Sequence, residues 1–99
     1  MKQWEASTIY FKRLLEKPTY KTPYLAHNNL GWALYQLGRF HEARSHMDMA
    51  VFLNPKFCLA YNNLGRLDAH VGATQAALDN FNKAIKLVRS LGEDSWEMH

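Results

Sequence analysis

The sequence predicts an all-α protein, a solenoid of antiparallel helix pairs with about five helices. Three observations predict it. Shifting the chain by 34 residues superposes Leu30 on Leu64, Gly31 on Gly65, Gly38 on Gly72, Ala43 on Ala77 and Ala50 on Ala84, and a period of this size filled with helix formers marks a helical array. Within each period the apolar spacing reads as two helices about a Gly-centred turn. Ahead of the first full period, "EASTIYFKRLLEKP" repeats the pattern of a second helix alone.

The elements follow in order. Residues 1–20 form a half repeat: Ala6 falls on the small position, Tyr10 on the aromatic one and Pro18 on the closing proline. Its first helix is missing, so either a capping helix or an array extending upstream is expected. Arg13 stands where alanine lets a partner helix come close, so that side is expected to face water. Thr22 then makes an N-cap with Pro23 at the first helical position. The first full repeat, 24–57, has helices over Tyr24 to Leu37 and Phe40 to Leu53; the second, 58–91, has them over Cys58 to Val71 and Thr74 to Val88. Residues 92–99 are read as a tail, and 1–99 as a single domain. Gly31 and Ala43, like Gly65 and Ala77, are small where paired helices approach, and Gly38 and Gly72 sit just past helix ends, where glycine takes a left-handed conformation at least cost.

The pattern resembles the tetratricopeptide repeat. Its motif has Leu-Gly early in the first helix, Gly at the turn, then an aromatic, Ala, a second aromatic, Ala and Pro; here Leu30-Gly31, Gly38, Phe40, Ala43, Met47, Ala50 and Pro55 stand at those places, then Leu64-Gly65, Gly72, Thr74, Ala77, Phe81 and Ala84. Departures are His27 and Tyr61 where the family favours Trp, Asp68 where it favours Tyr, and Arg89 for the closing Pro. The resemblance implies a right-handed solenoid whose first helices line a concave groove. Carried over by position, the groove residues are Leu25, Asn28, Trp32, Tyr35 and Gln36, then Leu59, Asn62, Arg66, Ala69 and His70. Asn29 and Asn63 fall on a structural position. The joint Pro18-Thr19-Tyr20-Lys21-Thr22-Pro23 with "NNLGWALYQLGRF" further resembles the type IV pilus pilotins, outer-membrane lipoproteins that assist secretin assembly.

From the groove comes an expected function. Asn28 and Asn62 each carry a donor and an acceptor and can bond the backbone of an extended peptide whatever its sequence. Trp32 then offers an apolar face and Arg66 a planar fork for a carboxylate. A protein or peptide partner is therefore expected, with self-assembly as the alternative: Trp4 and Phe11 at the front, and Leu91 and Trp96 at the back, are apolar residues on helices with too few neighbours to cover them.

Other chemistry finds little support. A net charge of +3 scattered among acids gives no nucleic-acid stripe. No apolar run approaches the ~18 residues needed to span a bilayer, and the first residues lack a signal-peptide core. No direct membrane insertion of this chain is expected, and the compartment stays open between cytoplasm and envelope. One cysteine, Cys58, excludes an internal disulfide and reads as a small buried side chain. The five histidines show no i, i+4 pair on one helix, so they read as groove or surface residues, not metal ligands. Glycines spaced for packing and turns form no phosphate loop. No cofactor and no enzymatic activity are expected.

Overall fold

A computed structural model of the chain describes the backbone of residues 2–97 and the side chains of residues 2–90. Five helices and no strand occur among the described residues: α1 (Lys2–Leu15), α2 (Pro23–Gln36), α3 (Phe40–Leu53), α4 (Cys58–His70) and α5 (Thr74–Glu97). They form two compact units, Met1–Pro55 with α1 to α3 and Lys56–His99 with α4 and α5, where the sequence reading has one domain. Each unit is built on one helix pair whose contacts are local in sequence.

In the first unit α2 packs against both α1 and α3. Its core is Ala26, Leu30, Ala33 and Leu34 with Ala43, Met47 and Ala50 of α3, all at most 1% exposed. Gly31 sets how near the pair comes: a Cβ there would lie 2.8 Å from Met47 Cγ and 3.1 Å from the Ala43 carbonyl oxygen. Thr22 occupies the N-cap and Pro23 the first helical turn, as expected, but the threonine hydroxyl makes no capping bond. The helix start therefore rests on proline's fixed backbone angle.

In the second unit Ala60, Tyr61, Leu64 and Leu67 of α4 pack with Ala77 and Ala84 of α5. A Cβ on Gly65 would lie 2.6 Å from the Phe81 ring. Asp68, at the place of a family tyrosine, is buried and accepts a 2.8 Å hydrogen bond from Asn80 Nδ2. That amide supplies the polar partner a buried carboxylate requires.

Both interhelix turns close in the same way. Gly38 and Gly72 have φ of 80° and 85°. Gly38 N bonds Tyr35 O and Arg39 N bonds Leu34 O; Gly72 N bonds Ala69 O and Ala73 N bonds Asp68 O. These paired bonds satisfy the last helical carbonyls, and the left-handed residue between them is what glycine permits. The end of the chain departs from expectation, since α5 continues through residues 92–97, read above as a tail, to Glu97. Arg89 stands where Pro55 follows α3, and arginine keeps the N–H and torsional freedom that a helix requires.

Two substitutions separate packing from turn geometry. Gly31→Ala forces a methyl against backbone and should cost about 1–3 kcal/mol. Gly72→Ala meets nothing within 4 Å and should cost about 1–2 kcal/mol through its backbone angle alone. Urea unfolding followed by circular dichroism measures both.

Candidate protein-binding site

The first turns of α4 and the middle of α5 enclose an open cleft of about 590 Å³ lined by Cys58, Leu59, Asn62, Ala84, Ile85, Val88 and Arg89. The spacing explains the convergence. Residues 58, 59 and 62 share one face of α4, and 84, 85, 88 and 89 share one face of α5. Leu59, Ile85 and Val88 are each about half exposed. The walls are mostly carbon, with the Asn62 amide, the Cys58 thiol and the Arg89 guanidinium as polar groups. A large apolar concavity with a few converging polar groups is the form a recognition site takes.

The α4 stripe continues from Leu59 and Asn62 through Arg66, Ala69 and His70, all three exposed. Arg66 and His70 already take part in interactions of their own. Cys58 is a free, half-buried thiol on the cleft wall, more open than the buried side chain expected of it.

Comparisons with known proteins bear on this arrangement. A tetratricopeptide-repeat family model matches residues 24–57. The crystal structure of PilW, a widely conserved type IV pilus biogenesis factor, matches with a TM-score of 0.83 and 30% sequence identity, over 89% of this chain and 40% of PilW. This chain is a tetratricopeptide-repeat protein. It spans well under half the length of the PilW chain, and among curated proteins none matches.

In this tetratricopeptide-repeat protein the two sets of groove positions differ in environment. On α2, Leu25 is 36% exposed, and Trp32, Tyr35 and Gln36 are half-buried. Trp32 and Tyr35 stack with ring centroids 5.3 Å apart, and Tyr35 meets Phe40 of α3 at 5.6 Å. The result is an aromatic row bridging the first helix pair. Asn28 departs from expectation: it is 2% exposed and its side chain is engaged. Buried positions on α2, Ala26, Asn28, Leu30, Gly31, Ala33 and Leu34, leave open only the face of Leu25, Asn29, Trp32 and Gln36, and residue 28 falls inside the covered arc. Asn62 stays half-buried on the cleft, while Asn63 is buried.

The assembly edge also moves. Trp4 and Phe11 are half-buried and share a face of α1 with the buried Thr8; that face meets α2. The open face instead presents Ile9 and Tyr10, 53% and 58% exposed, above a shallow concavity with Ala6, Arg13, Leu14 and Lys17. The Leu91 and Trp96 side chains lie outside the described residues.

Two features escape the sequence reading. Phe52 is 78% exposed on α3 beside Met49 and Leu53; comparing the copies points to it, because Lys86 stands there in the second repeat. His27 and His46 meet across α2 and α3 with Nδ1 atoms 3.0 Å apart, a pairing that single-helix spacing does not reveal. Among the described residues no group of three or more His, Cys, Asp or Glu could hold a metal ion, and no helix is long and apolar enough to cross a membrane.

The equivalent asparagines should now behave differently. Asn28→Ala should lower stability by about 1–3 kcal/mol, the cost of losing a buried, satisfied polar group. Asn62→Ala should leave the urea midpoint nearly unchanged. Paired unfolding curves under one buffer check the contrast.

Proposed function

We propose that this protein holds a partner protein by inserting two or three apolar side chains of that partner into the α4–α5 cleft, with a partner carboxylate set on Arg89. The observation that carries the reading is the cleft itself, open, apolar and walled by Leu59 and Asn62, two of the positions the repeat resemblance assigns to ligand contact. Each half-exposed aliphatic side chain covered by a partner contributes on the order of 1 kcal/mol. The guanidinium adds orientation through its planar fork. Likeness to a type IV pilus biogenesis factor supports pilus assembly as the setting, with an assembly component as the partner. Extended-peptide recognition fits less well once Asn28 is removed, because one open asparagine is left to read backbone.

The test places a photo-crosslinking side chain at Leu59 and identifies the adduct from cells. Ile85→Asp with Val88→Asp, two exposed positions, should keep the helical circular-dichroism spectrum and weaken the crosslinked partner's affinity at least tenfold, about 1.4 kcal/mol. An unchanged affinity in the folded variant removes the cleft from the function.

A second reading, self-assembly, is favoured by the open α1 face with Ile9 and Tyr10. Arg13 and Lys17 line the concavity beside them, so two copies meeting there repel unless salt screens them. Solution mass measured by light scattering should accordingly rise with added salt in the native chain, and Ile9→Lys should abolish the rise. A mass that does not change with salt counts against assembly through α1.

A further inference from the structure

His27 lies on α2 and His46 on α3, and their Nδ1 atoms are 3.0 Å apart. The ring centroids are 5.2 Å apart and the planes differ by 23°. A centroid separation so much longer than the nitrogen separation requires both nitrogens to lie between the ring centres, close to the line joining them. The two imidazoles therefore meet edge to edge, nearly in one plane, each in-ring nitrogen aimed at the other. This is the geometry of an N–H···N hydrogen bond, and it restricts protonation. One Nδ1 must carry a proton and the other must not.

We propose that the His27–His46 bond is a proton-sensitive lock that holds α2 to α3 at neutral pH and gives way in acid. A bonded pair accepts one extra proton at most. With two, both nitrogens carry hydrogens facing each other at 3.0 Å, inside a half-buried contact. Unfolded, each histidine takes its own proton below about pH 6.5. The native state thus binds at least one proton fewer than the unfolded state, and stability rises with pH and falls as pH drops.

The surroundings act in the same direction. Burial lowers both pKa values from 6.5; for His27 the charge of His46 adds to it, and for His46 the Lys12 ammonium of α1 adds to it while Glu42 of α3 opposes. Glu42 is itself bound by the Arg39 guanidinium through two hydrogen bonds of 3.0 and 2.9 Å, which limits its help to an imidazolium. The sign is that of groups held neutral: the contribution is complete above the unfolded value of 6.5 and is lost progressively as pH falls below it toward the lowered folded values.

The second repeat shows what the site looks like without a titrating pair. Asn80 is the 34-residue equivalent of His46, and Tyr61 that of His27. There the bridge runs from the Asn80 amide to Asp68. The same position on the second helix reaches across in both repeats, and in the first alone it does so with imidazole on each side. The lock closes the helix pair that carries the Trp32–Tyr35–Phe40 row, so acid loosens the element that orders those rings.

The experiment has two parts. Nitrogen-15 spectra of the native protein's histidines near neutral pH should show one of the two imidazoles as the Nδ1–H tautomer, the minor form of free histidine, and both should resist protonation below pH 6.5. Urea unfolding of the native chain and of the His27→Tyr, His46→Asn variant, which copies the second repeat, should then diverge in acid. The native unfolding constant should rise about tenfold more per pH unit than the variant's between about pH 6 and 5. Two Nε2–H tautomers that titrate like free histidine would overturn the proposal, and so would parallel pH profiles in a folded variant. Should the variant fail to fold, the native spectra alone decide.

Discussion

Each unit depends on the approach of two helices at a glycine. Gly31 admits Met47 and the Ala43 backbone, and Gly65 admits the Phe81 ring, closer than a Cβ ordinarily comes to another atom. Once that approach is set, the facing positions are confined to Ala43, Ala50, Ala77 and Ala84, because larger residues separate the axes. Leu30, Leu34, Leu64 and Leu67 then fill what remains. Close-packed interiors leave little slack, which explains why Leu30, Gly31, Ala43 and Ala50 recur as Leu64, Gly65, Ala77 and Ala84 while their neighbours change.

The polar crossings show where change is tolerated. His46 and Asn80 occupy one position of the second helix, yet one bonds a histidine on the preceding helix and the other an aspartate seven residues further along it than the histidine's equivalent, Tyr61. What is kept is a satisfied hydrogen bond; the partners and chemistry differ. Asp68 replaces a family aromatic without leaving an unpaired group, and among the described residues no buried side-chain nitrogen or oxygen lacks a partner. A buried polar bond specifies how a pair of helices registers as well as holding it.

The legible parts of the molecule were those written in local pattern. Helix pairs and turn glycines follow from spacing along one chain segment, and both were readable. Asn28 was misplaced because its exposure depends on how many sides of α2 are covered, a property of the assembled unit. Trp4 and Phe11 were misread as an edge for a related reason: a lone amphipathic helix does not reveal which face finds a neighbour. The histidine pair lies 19 residues apart on antiparallel helices, beyond any single-helix spacing rule. The continuation of α5 turned on the absence of a stop signal, and absence is a weaker cue than the proline that follows α3.

Asn28 and Asn62 carry the argument furthest. They are the same residue at the same repeat position, preceding the same Asn-Leu-Gly, yet one is sealed and the other stands on an open apolar cleft. Duplication copies a side chain together with its hydrogen-bonding capacity; it does not copy the surroundings that decide where that capacity is spent. At 2% exposure the amide of Asn28 serves the fold, while on the cleft wall that of Asn62 stays within reach of another molecule. A binding position in a repeat protein is therefore a property of position and of cover together, and the place to look for a partner is the copy whose cover is incomplete.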